Sequence, residues 1–169
     1  MPDAQAKTAT PASTIHAVQP DEGEGYWRPQ PANGYVVVKV SPRRGGQRNL
    51  AMGIQVIPPG GFVPEHSHEK QEEILFCFEG EGVVEIDGVP HAFVPGTTIY
   101  ATPWMKHKII NTGTRELKFT WTMTPPGLED FFSAIGRTRQ PGEPAPAPFD
   151  PPATIDRAQA ASGFGDYER

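Results

Sequence analysis

The chain has 169 residues, a net charge of −5, 20 prolines, 18 glycines and one cysteine. That length suits one domain, and the negative balance provides neither the basic face that binds nucleic acid nor a polybasic cluster for an anionic membrane. No apolar run is long enough to span a bilayer, the lone Cys77 excludes an internal disulfide, and the leader MPDAQAKTATPAST lacks the apolar stretch of a secretory signal; a soluble, cytoplasmic protein is expected.

Residues 1–25 begin as an Ala-, Thr-, Pro- and Gln-rich stretch and are expected to be a flexible N-terminal segment. The core falls to residues 26–136, which read as short strands separated by turns. Tyr35 to Val40 is β-branched, and Leu50 to Ile57 ends at Pro58-Pro59-Gly60-Gly61. Ile74 to Phe78 is apolar throughout, as a strand buried on both faces would be. Gly82 to Ile86 runs into Asp87-Gly88, a tight-hairpin signal. Further strands are expected at His91 to Val94, Thr97 to Ala101 and His107 to Asn111. In Leu117 to Met123, Leu117, Phe119, Trp121 and Met123 share one face and Lys118, Thr120 and Thr122 the other. Such closely spaced strands indicate an all-β sandwich or barrel. One short helix is expected within Gly127 to Gly136, with acidic residues near its start and a glycine stop. Residues 137–169 read as a proline-rich C-terminal arm, with a second short helix around Thr154 to Ala161.

Chemistry concentrates between residues 60 and 111. His66 and His68, two apart on an extended strand, project to one face. Glu72 and Glu73 follow a turn-length gap, and Glu73 shares its face with Leu75 and Cys77, opposite Ile74, Phe76 and Phe78. His107 starts a later strand, on the face of Ile109 and Asn111. In a closed barrel these strands converge on one interior point. Three imidazoles and a carboxylate suit one divalent transition metal (Fe, Mn, Ni, Cu, Co or Zn) and select against Ca and Mg. The neighbouring interior residues Met52, Leu75, Cys77, Ile109, Phe119 and Trp121 are the candidate substrate pocket, with Ile54 and Val56 on the same strand as Met52 and with Trp104 and Met105 beside its mouth. Cys77, in a buried strand with no adjacent activating base, reads as a small apolar residue.

The stretch Gly60, five residues, His66-x-His68, four residues, Glu73, six residues, Gly80 resembles the first motif of the cupins, and Gly96, His107 and Asn111 resemble the second. Between Gly96 and His107 the family often has proline and glycine where this chain has Thr102 and Trp104 around Pro103. The resemblance implies a cupin-type β-barrel, the double-stranded β-helix or jelly roll, with a metal held by His66, His68, Glu73 and His107; its spacing to Gly80 selects Glu73 over Glu72. TPPGLEDFFSAIG (124–136) and the proline-rich tail resemble small quercetinase-like cupins.

A metal-dependent dioxygenase acting on a small chelating, largely apolar or aromatic substrate is the leading expectation, with Glu73 doubling as ligand and catalytic base. The alternatives are a redox-neutral isomerase or lyase of a small oxygenated metabolite and a non-catalytic small-ligand binder. Apolar residues on both faces of 74–78 call for a second cover, so a homodimer is expected, with Tyr26 and Trp27 packed on the barrel.

Overall fold

The structure, a computed structural model, describes residues 17–44 and 49–166. Twelve strands and two short helices follow in order: β1 (Glu24–Trp27), β2 (Tyr35–Val40), β3 (Ala51–Ile57), β4 (Phe62–His68), β5 (Glu72–Glu79), β6 (Gly82–Ile86), β7 (Val89–Phe93), β8 (Thr98–Ala101), β9 (His107–Asn111), β10 (Leu117–Thr124), α1 (Leu128–Ile135), β11 (Arg137–Arg139), α2 (Ile155–Ser162) and β12 (Phe164–Gly165). The strands form two antiparallel sheets, ordered β11-β1-β2-β3-β10-β5-β8 and β12-β4-β9-β6-β7. The expected jelly-roll fold is borne out, with its two sheets left open and not closed into a barrel: among the described residues no ladder joins them, and the core lies between two layers.

Side-chain alternation builds the layers. Along β5, Glu73, Leu75 and Cys77 are buried, while Ile74, Phe76 and Phe78 are 39–45% exposed. Along β10, Leu117, Phe119, Trp121 and Met123 are buried, with Phe119 and Trp121 opposite Cys77 and Leu75. Trp121 stands across β3 from Gly53, where an added Cβ would lie 2.5 Å from the indole; only a residue without a side chain leaves that room. The β6–β7 hairpin turns at Asp87 (φ 46°) and Gly88 (φ 79°), the pair of positive φ values that a two-residue hairpin requires. Asn111 is buried at the end of β9, where its Nδ2 donates to Ile57 O and Arg115 O and its Oδ1 accepts from Gly113 N–H.

The helix α1 buries Leu128, Phe131, Phe132 and Ile135 against the core, and Glu129 and Asp130 lie in its first turn. The chain beyond it does not stay apart as an arm. β11 pairs with β1, and β12 pairs with β4, so the C-terminal region adds an edge strand to each sheet. β1 and β11 lie outside the expected strands, because their pairing is with each other and with β2, a contact between distant segments. Of the expected flexible segment 1–25, residues 1–16 lie outside the described residues. Residues 19–22 are held by the buried Lys39, whose Nζ donates to Gln19 O (2.9 Å), Pro20 O (2.7 Å) and Glu22 O (2.5 Å). Among the described residues no helix is long and apolar enough to cross a membrane.

Candidate metal centre

Three ligand candidates come from the five-stranded sheet and one from the sheet facing it. β4 carries His66 and His68, and β9 pairs with β4 so that His107 stands opposite His66, after a register shift between Val63 and His66. Glu73 enters from β5, paired with Ala101 of β8 and Met123 of β10. All four side chains are buried, and one ligand atom from each lies within 4.8 Å of the others. At a metal–ligand distance of about 2.1 Å, two ligands of an octahedral ion are about 3.0 Å apart when cis and about 4.2 Å when trans, so this set fits around one ion with small adjustments.

The hydrogen bonds behind the histidines fit too. The Nδ1 atoms of His66 and His107 lie 2.8 Å from Pro64 O and 3.1 Å from Met105 O. Each N–H donated to such a carbonyl leaves Nε2 with its lone pair for the ion. His68 Nδ1 is buried without a hydrogen-bond partner. Glu73 Oε2 lies 3.1 Å from His107 Nε2 and 3.3 Å from His68 Nε2. Burial alone would raise the Glu73 carboxyl, but hydrogen bonds from His107 and His68 outweigh it and hold the group well below the usual carboxylate range. Burial, then the charges of His107 and His68, pushes His66 well below an ordinary histidine. For His107 burial works against the imidazolium, yet the bond and charge of Glu73 raise it. One buried carboxylate thus gathers positive charge, which suits a cation at the same point.

Leu75, Cys77, Ile109, Phe119 and Trp121 all point between the sheets and are packed core residues. Met52 is corrected: it pairs with Thr122 on the outer face of β3, while Ala51, Gly53, Gln55 and Ile57 point inward. Ile54 also takes the outer side, opposite Thr120, and Val56 lies opposite Lys118. The inward face of β3 is thus one position out of phase with the expected one. Trp104 and Met105 are half-buried in the turn before β9, with Trp104 N–H donating to His68 O. Clefts of about 650 and 280 Å³ lie elsewhere: Val56 borders both and Ile54 the smaller one, while none of Met52, Leu75, Cys77, Ile109, Phe119 and Trp121 lines either.

One residue over the centre escaped the sequence reading. Phe164 of β12 stacks on His66, with ring centroids 4.4 Å apart and planes at 29°, and on Phe131 at 4.3 Å and 25°. Phe164 pairs with His68 and Gly165 with Ser67. Gln71 Nε2 donates to Ser162 O at 2.7 Å, Glu69 N–H donates to Gly163 O, and Lys106 pairs with Asp166 at 2.8 Å. The C-terminal segment is therefore fastened across the histidine side of the site. Its only local signal is Gly163, the left-handed residue (φ 67°) that ends α2 and turns the chain toward β4.

Residues 53–123 match the family described as Cupin domain. Among curated proteins, the chain is 29% identical over 92 residues to Protein SchB of Streptomyces halstedii, covering 54% of this chain and 67% of that one. It is 28% identical over 110 residues to the dimethylsulfoniopropionate lyase DddW of Ruegeria pomeroyi, covering 65% of each. The chain thus spans about two thirds of the length of these relatives. A Thermotoga maritima structure described as a predicted oxalate decarboxylase superposes with a TM-score of 0.57 at 24% identity, over 65% of this chain and 99% of that one, a likeness of fold.

Proposed function

We propose that the chain is a small cupin-type protein in which His66, His68, Glu73 and His107 hold one divalent transition metal, and that it is a metal-dependent dioxygenase of a small chelating, largely apolar or aromatic substrate. The carrying observation is the buried set of three imidazoles and one carboxylate gathered within 4.8 Å, set among apolar core residues. When bound, such a metal supplies Lewis acidity and exchangeable positions for a chelating substrate and oxygen. Phe164 and Phe131 form an aromatic wall beside His66 that favours a flat or apolar body and keeps water from the histidines. Glu73 is a weak base while Nε2–H of both histidines donates to it; as proton acceptor it would need those bonds to be lost, as when Nε2 gives up its proton so that its lone pair could hold a metal.

A redox-neutral lyase or isomerase is the second reading, supported by the likeness to a lyase over 110 residues. Oxygen uptake by metal-assayed protein, measured against flavonols, catechols and β-diketones, separates the two. Uptake that tracks metal content supports the dioxygenase; turnover without oxygen consumption supports the lyase or isomerase.

A homodimer is part of the same proposal. β8 is the edge of its sheet, and Ile74 (45% exposed), Phe76 (41%) and Tyr100 (52%) form an apolar outer surface on β5 and β8. Exposed aromatic and aliphatic side chains in contact mark an association surface. Sedimentation showing only monomer at micromolar concentration would count against it, and Phe76→Asp is expected to convert dimer to monomer.

A further inference from the structure

The cleft of about 650 Å³ lies at the far end of β4 from His66 and His68, where Phe62 meets the β1–β2 connection and the proline-rich segment 145–149. That volume is in the usual range for a small-molecule site. Its walls are mainly apolar, including Ala32, Val56, Pro58, Phe62, Pro146 and Phe149. Segment 145–149 is held there by its last residue: Gln30 N–H donates to Phe149 O at 2.9 Å, and the Arg137 guanidinium lies 4.0 Å over the Phe149 ring.

Arg28 lines this cleft and is 9% exposed. A guanidinium carries five N–H donors. Among the described residues it makes one side-chain hydrogen bond, from Nη1 to Asn33 O at 3.4 Å, and no ion pair. Burial alone lowers its proton affinity, to about 9, with no acidic neighbour to offset the loss. A buried cation without a counter-charge is among the most destabilising arrangements a fold can hold. Two more buried donors on the same lining, Trp27 Nε1 and Arg139 Nε, lack hydrogen-bond partners among the described residues. Arg139 is set in place by stacking, 3.8 Å over the Tyr35 ring and 5.2 Å over Trp27. The lining carboxylates Glu116 and Glu143 are exposed, and each has a partner in Lys118 Nζ and Gln140 N–H respectively.

We propose that this cleft is a second binding site, for a small monocarboxylate with an apolar body, whose carboxylate is taken by Arg28. A planar guanidinium fork matches the two oxygens of a carboxylate. The apolar walls take the tail, and because Arg28 is the buried lining cation left without a counter-charge while Glu116 and Glu143 also border the cleft, a single negative charge suits the site better than a dianion.

Calorimetric titration of the full-length, metal-containing protein tests it, with octanoate and benzoate as probes, octanamide as the neutral control and inorganic phosphate as the competing anion. At least one of the two carboxylates is expected to bind saturably, and octanamide to bind more weakly than octanoate by roughly ten- to a hundred-fold, the worth of hydrogen bonds to a charged group. Arg28→Met is expected to weaken carboxylate binding by a similar factor, with metal content unchanged and the thermal midpoint held or raised because a buried unpaired charge is gone. Should that variant not fold, Ala147→Trp, on the exposed segment bordering the cleft, is expected to block binding by filling it. Equal binding of octanamide, preference for phosphate, absence of binding by both carboxylates, or carboxylate binding that survives Arg28→Met or Ala147→Trp would each overturn the proposal. Binding lost on removal of the metal alone would place the probe at the metal centre and also overturn it.

Discussion

Removing the Phe164 ring tests whether β12 covers the metal centre. Phe164 is half-buried and stacks on both His66 and Phe131. Each aromatic pair contributes about 0.5–1.5 kcal/mol beyond area burial, and half-burial of a phenyl ring adds about 1 kcal/mol. Phe164→Ala should therefore weaken the local anchoring of β12 by about 2–4 kcal/mol. A two-residue strand ladders weakly, so the loss should fall on detachment of the segment rather than on global unfolding. Since about 1.4 kcal/mol is tenfold in an equilibrium, the open population rises roughly thirty- to several-hundred-fold. The bonds from Gln71 to Ser162 and from Lys106 to Asp166 remain and moderate the effect. The assay is the rate at which a chelator strips metal from the loaded protein, read beside hydrogen exchange of the β4 and β12 amides. Metal loss and exchange should accelerate together while the global unfolding midpoint moves little. Unchanged rates of both would refute the view that this segment guards the site.

Three further outcomes are expected. Replacing His66, His68, Glu73 or His107 singly by Ala should reduce bound metal to well below one per chain; in the metal-free protein His107→Ala should also cost about 3–5 kcal/mol in chemical denaturation, because Glu73 keeps its buried charge but loses a partner. Full metal content in all four variants would remove the site assignment. Metal-free protein should be most stable near pH 6.5: below it the unfolded chain protonates His66 while the folded chain resists, below 4.5 the depressed Glu73 adds a second loss, and above 6.5 the contribution of the raised His107 fades as it deprotonates. Urea unfolding across pH 4–9 reads this, and a flat profile between pH 5 and 7 would contradict it. Gly53→Ala should cost about 1–3 kcal/mol by overpacking, since the new Cβ lies 2.5 Å from the Trp121 ring and 2.6 Å from Val37 O, and a shift in the urea midpoint measures it.

Residue types and short spacings by themselves placed His66, His68 and Glu73 on inward strand faces, and the motif resemblance selected Glu73 over Glu72 as a candidate ligand. His66 and His68 lie two apart, and the inward trio of Glu73, Leu75 and Cys77 follows from the two-residue period of a strand, which operates within one segment. The turn at Asp87-Gly88 and the helix over 128–135 were legible for the same reason, because dihedral preference and capping are local. Phase was less secure: β3 reads the same in either register, and only its pairing with β10 put Gly53 under Trp121 and sent Met52 outward. Everything that joins the C-terminal region to the sheets lay beyond such reasoning. Ser67 meets Gly165 across 98 residues and Gln71 meets Ser162 across 91, contacts that leave no periodic trace in either partner. Arg28 carries the same lesson, since a lone arginine after Tyr26-Trp27 reads as a surface charge until β1, β2 and segment 145–149 close around it. Local geometry chose which side chains could hold a metal; long-range packing decided what covers that candidate site and where a buried charge was left without a partner.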